Sequence, residues 1–309
     1  MLRNTIYCSM ITKKINDRYF LKKTNIFLVY AFLLLSFFSI SYAGESNPYS
    51  KYYKDLKIKS PKAIIYDAEK DEVIYEKGAN EQSSIASVTK LMTAMVLLDS
   101  GLDLDEKILI SESDMDTIKG TKSKLWVGSE LSRDELLHIA LIASDNRAAS
   151  ALSNSYPGGK EAFVKAMNIK AKQLDMVSTN FVDPTGLNKN NISTATDLVK
   201  LVQAANQYPL IRTITTTASY DAYIENKNKK LSYVNTNLLV RQGIWDIGIS
   251  KTGYIQEAGK CLVMQTQVVG KPIVMVFLKS YGKLTRTADA NRVKIWLEKG
   301  YNQGLFAQN

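Results

Sequence analysis

The chain of 309 residues contains one histidine, His138, and that shortage excludes much. A Ser-His-Asp triad would have to use it, and zinc sites built on several histidines are ruled out. His138 falls in S-R-D-E-L-L-H-I-A-L-I-A-S, where Leu136, Leu137, Ile139, Leu141 and Ile142 mark a helix apolar on most sides. A satisfied helix position is therefore expected for it, rather than a catalytic one. Cysteine is almost as scarce. Cys8 lies in a leader expected to be removed, and Cys261 sits in the strand-like run G-K-C-L-V-M. The remaining chain can form no intramolecular disulfide, and Cys261 reads as a small buried hydrophobe, since a thiol nucleophile would need a histidine partner. No K/R-rich tract with interleaved aromatics suggests nucleic acid. Internal repeats, low-complexity tracts and long linkers are lacking too.

At the amino end, Lys13, Lys14, Arg18, Lys22 and Lys23 precede an apolar stretch over 26–35 that runs on through Phe37, Phe38 and Ile40 to Ser41-Tyr42-Ala43. Basic lead, apolar run and small-x-small site are the layout of a secretory signal peptide, 1–43, and imply an exported protein. An uncleaved membrane anchor is the alternative, with a run near the lower limit for a span. The lead is long, and Met10 is a second candidate start. Residues 44–309 remain, enough for one large domain or two intimate subdomains. Without the leader 34 basic residues face 29 acidic ones, so the net charge falls from +10 to +5. Little is left to attract anionic polymers.

Two β-rich runs, 63–66 and 73–75, joined by the polar D-A-E-K-D-E, predict an antiparallel hairpin. After Ser87 the segment L-M-T-A-M-V-L-L-D is apolar nearly all round and ends near Gly101, predicting a buried central helix with Ser87 in its first turn. Unpaired N–H groups and the positive dipole end there favour an oxyanion. Ser132 and Glu135 form a capping box that opens the helix carrying His138, and Tyr156-Pro157-Gly158-Gly159 breaks it. A second helix is expected over about 160–174 and a third after Ser193-Thr194, with Asp197 in its first turn. D-P-T-G-L-N at 183–188 is a loop. Strand patterns return at 220–224, 231–234, 247–252, 261–269 and 272–278, before a closing helix over 288–299. The expected fold is α/β and two-lobed (α+β): an antiparallel sheet shared by strands from both chain ends and flanked by helices, with a mostly helical lobe at about 103–215 inserted. A cleft between the lobes is the natural site.

In I-A-S-V-T-K-L, Ser87 and Lys90 stand three apart on one helix face, which makes hydroxyl and amine neighbours. Lacking a usable histidine, the chain offers Lys90 as the base, provided burial or a second cation keeps it neutral part of the time. Lys251, in I-S-K-T-G-Y on a late strand, is the candidate second cation. Ser144-Asp145-Asn146 caps a helix of the insert and offers a hydroxyl and a carboxamide from the opposite lobe. S-x-x-K recurs at 280–283, where Gly282 speaks against a helix, and Ser178-Thr179-Asn180 also fits S-x-N.

S-x-x-K, S-D-N and K-T-G, in that order, resemble the signature of penicillin-binding proteins and class A β-lactamases. The stretches I-A-S-V-T-K-L-M-T-A-M-V-L-L-D, L-I-A-S-D-N-R-A-A-S, Y-P-G-G-K-E-A-F-V-K-A-M-N, F-V-D-P-T-G-L-N and K-T-G-Y-I-Q-E-A-G-K-C-L-V-M look like the D-alanyl-D-alanine peptidases, low-molecular-mass penicillin-binding proteins, over roughly 63–300. The resemblance implies a penicillin-binding protein / β-lactamase-like fold, periplasmic location, peptidoglycan peptide stems as substrate and β-lactams as covalent inhibitors. It implies no metal or organic cofactor, no nucleic acid, and at most peripheral membrane association. Carried over by position, Ser87 attacks the D-alanyl carbonyl, Lys90 takes its proton and Ser144 relays a proton to the departing amine. Asn146 holds the substrate amide, Lys251 and Thr252, with Gly253 completing their motif, bind anionic groups, and the N–H groups of Ser87 and Tyr254 flank the oxyanion. Arg286 matches a position where some carboxypeptidase relatives bind the substrate carboxylate; a solvated loop arginine is its other reading. Pro184 stands where class A β-lactamases carry the deacylating glutamate, so slow release of penicillin is expected in place of drug hydrolysis. The short tail after Trp296 favours the endopeptidase type over a carboxypeptidase removing terminal D-alanine. β-Lactamase and a non-catalytic envelope scaffold are the further alternatives.

Overall fold

The computed structural model describes Asn47 and residues 49–306; the expected leader, 1–43, lies outside the described residues. Strands β1 (Lys62–Asp67) and β2 (Glu72–Lys77) form the expected hairpin, with a register shift between Ile65 and Tyr66. The chain returns much later as β9 (Ile247–Ile255), β10 (Gly259–Val268) and β11 (Lys271–Ser280). β1 pairs with β11, so both chain ends build one five-stranded antiparallel sheet in the order β2-β1-β11-β10-β9. The K-T-G motif, Lys251–Gly253, therefore lies on an edge strand, the one place where a sheet can receive another extended chain.

These strands read as near-continuous apolar runs because both faces of the sheet are covered. Alternate residues go to opposite sides. Ala63, Ile65, Leu262, Met264, Ile273, Met275 and Phe277 pack with Val293, Trp296 and Leu297 of helix α8 (Thr285–Asn302). Ile64, Cys261, Val263, Val274, Val276 and Leu278 join the other core, which holds helix α1 (Thr89–Asp99). Every residue of α1 from Thr89 to Leu97 is buried, Lys90 included, as expected of a helix that is apolar nearly all round.

Around α1 stand α2 (Arg133–Ile142), α3 (Asn146–Asn154), α4 (Gly159–Gln173), α5 (Ala195–Ala205) and α6 (Pro209–Thr216). Ser132 and Glu135 make the expected reciprocal cap on α2. Two readings need correction. The helix that begins at Arg133 ends at Ile142, not at the Tyr156-Pro157 break, because Ser144 takes a left-handed φ of +60° and Asp145 caps a new helix. Ser87 stands in a 3-10 turn, Ala86–Val88, just ahead of α1 and not within its first turn. β7 (Ser219–Ile224) and β8 (Lys229–Val234) pair only with each other, apart from the main sheet. Helix α6 and the short α7 (Leu238–Gln242) had no counterpart in the sequence reading. The remaining two-stranded pairs are β3 (Ser83–Ser84) with β6 (Ile192–Ser193), and β4 (Lys107–Leu109) with β5 (Glu130–Ser132).

Candidate active site

Ser87 is held by its neighbours rather than by its own helix. Ala86 before it adopts φ +48°, a left-handed conformation that costs about 1–2 kcal/mol for a residue with a β-carbon. Two glycines press on this turn. Gly186, at φ +83°, comes so near that a β-carbon on it would lie 2.0 Å from the Ala86 carbonyl oxygen, and one on Gly253 would lie 3.0 Å from the Ser87 nitrogen. The loop 183–188 and strand β9 thus clamp the serine from two sides.

One turn along α1, the Lys90 amine reaches back to Ser87. Its Nζ lies 3.0 Å from Ser87 Oγ, 2.6 Å from Asn146 Oδ1 and 2.7 Å from the Thr185 carbonyl oxygen. Lys90 is buried. Burial lowers its pKa from 10.5 to about 8, against the opposing pull of the Asp183, Asp145 and Asp116 carboxylates. A neutral amine has two N–H bonds and one lone pair. Asn146 Oδ1 and the Thr185 carbonyl can only accept, so they take both N–H bonds and leave the lone pair facing the serine hydroxyl.

From the opposite side, Lys251 on β9 directs its Nζ to Ser144 Oγ at 2.8 Å and to the Thr252 carbonyl at 3.0 Å. It is buried as completely as Lys90, and its pKa is lowered well below 10.5 by that burial, then by the charges of Lys90 and Arg286. A second cation in the same buried site discourages its charge. Asp145, between Ser144 and Asn146, accepts from the Ala148 N–H and the Ser123 hydroxyl. It therefore fixes the turn that carries both motif side chains.

Thr252 donates to Thr236 Oγ1 at 2.6 Å, and Arg286, in the first turn of α8, reaches the Gly253 carbonyl at 3.3 Å. The structure thus brings Arg286 to the end of the site, in preference to a solvated loop. Its guanidinium has no carboxylate within ion-pair distance among the described residues. A cavity of about 330 Å³ opens beside it, lined by Thr236, Leu238, Arg241, Thr252, Lys283 and Arg286 among others, with cations and no carboxylate in its wall. Tyr254 points outward, 60% exposed, with Lys260 Nζ 3.9 Å from its ring centre. Ser87, Lys90, Ser144, Asn146, Lys251, Thr252, Gly253, Tyr254 and Arg286 thus gather around one site.

The decoys are elsewhere. Ser280 is buried at the end of β11, bonded to Ser60, and Thr179 bonds Ser193 and Asp197. His138 stacks on Tyr220 with ring centres 4.7 Å apart, its Nδ1 3.0 Å from the Asp134 carbonyl. Burial raises the Cys261 thiol to about 11, which leaves it inert. No cluster of histidine, cysteine or carboxylate side chains suited to a metal occurs among the described residues. The sequence reading missed the loop at 116–121, which touches Asn146 through Thr121; a lone D-x-x-x-x-T carries no signal of its own.

The family model described as D-alanyl-D-alanine carboxypeptidase matches residues 49–281. The D-alanyl-D-alanine endopeptidase of Escherichia coli K12 is 46% identical over 244 residues, covering 79% of this chain and 79% of that one. The D-alanyl-D-alanine endopeptidase of Pseudomonas aeruginosa is 44% identical over 275 residues, 88% of each. Among solved structures, the Streptomyces K15 DD-transpeptidase superposes with a TM-score of 0.72 at 28% identity, over 78% of this chain and 97% of that one.

Proposed function

The chain belongs to the D-alanyl-D-alanine carboxypeptidase family and is a serine-type D-alanyl-D-alanine peptidase, and on that premise we propose that it cleaves the D-alanyl cross-links between peptidoglycan stems. The observation that carries the reading is the Lys90 amine 3.0 Å from Ser87 Oγ, its N–H bonds engaged by two carbonyl acceptors. Ser87 Oγ attacks the D-alanyl carbonyl carbon while its proton passes to Lys90 Nζ. The tetrahedral oxyanion lies between the N–H groups of Ser87 and Tyr254. Its collapse breaks the C–N bond, and the amine leaves with the proton that Lys90 took, relayed through Ser144, which Lys251 contacts. Water then attacks the acyl carbon while passing a proton to Lys90, and as the C–O bond to Ser87 breaks Lys90 returns that proton to Ser87 Oγ.

One feature supports an endopeptidase over removal of a single terminal D-alanine: the relatives at 46% and 44% identity are named endopeptidases. The cavity beyond Thr252, lined with cations, suits the carboxylate that the leaving amine carries in either reaction. Residues 1–43 are proposed to direct export to the periplasm, and 44–309 to form the peptidase domain with its helical lobe at about 103–215. No helix among the described residues is long and apolar enough to cross a membrane.

The test is digestion of purified peptidoglycan followed by separation of its fragments. Conversion of cross-linked dimers to monomers, absent with Ser87→Ala, is the expected result. Release of D-alanine with dimers untouched would assign a carboxypeptidase instead.

A further inference from the structure

The hydrogen bonds around Asn146 run outward to a loop that none of the motifs contains. Asp116 Oδ2 accepts from both the N–H and the hydroxyl of Thr121, at 2.8 Å and 2.7 Å, and its Oδ1 accepts from the N–H groups of Ile118 and Lys119. Burial opposes the charge of Asp116, yet these hydrogen bonds outweigh it and hold the carboxyl below its ordinary range. It is an acceptor only. The single proton of the Thr121 hydroxyl is thereby committed to Asp116, and towards Asn146 Nδ2, 2.9 Å away, Thr121 can offer only lone pairs. The amide must then turn its NH₂ to Thr121 and its carbonyl oxygen to Lys90. Reversed, it would present N–H groups to Nζ and draw the amine lone pair away from Ser87. Lys119 of the same loop pairs with Glu257, in the turn between β9 and β10, at 2.5 Å, so the loop is tied to both margins of the cleft.

We propose that Thr121 and Asp116 are positioning residues for acylation: the carboxylate orders the hydroxyl, the hydroxyl sets the Asn146 amide, and the amide aims the Lys90 lone pair at Ser87. This rests on the reading of Lys90 as base. The charged groups facing Lys90 are Asp183 from the 183–188 loop, Asp145 at the start of α3, Asp116 itself, and Lys251 from β9.

The experiment is single-turnover acylation by benzylpenicillin across pH, with thermal melting as the check on folding. Thr121→Val keeps every charge, so the plateau rate is expected to fall about tenfold or more while the inflection pH stays put. Thr121→Ser restores the rate. Asp116→Asn frees the Thr121 proton to bond Asn146 Oδ1 and invert the amide, so its plateau also falls, while its inflection moves to lower pH because an anion near Lys90 is gone. If Thr121→Val melts early, Asp116→Asn carries the same test. A Thr121→Val plateau equal to the native one, or a Thr121→Ser plateau as low as that of the valine, overturns the proposal and leaves the peptidase reading standing. A native protein that forms no adduct overturns both.

Discussion

Gly253 lies so close to Ser87 that a β-carbon built on it would stand 3.0 Å from the Ser87 nitrogen and 2.9 Å from the Ile85 carbonyl oxygen. Only a bare backbone lets β9 approach the turn that carries Ser87, and in the proposed mechanism that approach sets the Ser87 and Tyr254 amides around the oxyanion. The backbone of Gly253 is not left-handed, so alanine would fit the strand but not the contact. Gly253→Ala is expected to lower acylation by benzylpenicillin about a hundredfold, the scale of losing one oxyanion donor, with a small change in melting temperature. Acylation at the native rate would show that the close approach has no part in the chemistry.

Lys90 supplies the pH dependence. Its pKa falls from 10.5 to about 8 because it is buried, and a base works only in its neutral form. Below that value each unit of pH raises the neutral fraction about tenfold, and above it the fraction saturates. Acylation should therefore climb through neutrality and level off on the alkaline side. Stopped-flow acylation across that window checks the sign: a rate that falls with rising pH would mean that protonated Lys90 is the active form.

The sheet and its helices were legible because long apolar runs with the right period leave few choices, as in the β1–β2 hairpin and the all-buried α1. The failures share a cause. Ser144 and Ala86 bend the chain in conformations that neither alanine nor serine advertises, so the end of α2 and the placement of Ser87 ahead of α1 could not be read. β7 and β8 have the pattern of any strand, and pattern says nothing about which sheet a strand joins. In the site, the motif side chains could be named because their types and order are specific. The Thr185 carbonyl and the Thr121 hydroxyl act through position alone, and residue type carries no trace of that.

The decoy S-x-x-K at Ser280 serves stability. Asp289, fully buried in α8, accepts from the Lys59 and Ser60 N–H groups at 3.0 Å and 2.8 Å and from the Ser60 hydroxyl at 2.6 Å, and it pairs with Arg292. Since Ser60 donates to Asp289, its 2.7 Å contact with Ser280 must be a bond that Ser280 donates. The cluster ties the chain before β1 to α8. Asp289→Ala would strand the buried N–H of Ser60 and leave Arg292 without its partner, and is expected to cost about 3 kcal/mol, read from urea unfolding. A loss under about 0.5 kcal/mol, the scale of ordinary surface changes, would mean that water replaces the carboxylate easily.

The last expectation concerns what happens after acylation. Fast hydrolysis of a penicilloyl-serine would be served by a carboxylate free to activate water beside Ser87, as in class A β-lactamases. At position 184 stands a proline, whose carbonyl accepts from Thr93 Oγ1 at 2.6 Å. The next residue back, Asp183, is buried, and its oxygens already accept from the N–H groups of Thr185, Gly186 and Asn188 and from the Thr185 hydroxyl. Diverting that carboxylate to a water would unpair the loop whose Gly186 clamps Ala86. Among the described residues, Lys90, re-formed as a base, is the one group hydrogen-bonded to Ser87 that can accept a proton, and a bulky penicilloyl group would hinder the approach of water to it. Intact mass measurement after brief exposure to benzylpenicillin should therefore find one adduct on the native protein that persists for hours, and none on Ser87→Ala. An adduct lost within seconds, with stoichiometric excess of hydrolysed drug, would require a deacylating base that the loop at 183–188 does not supply.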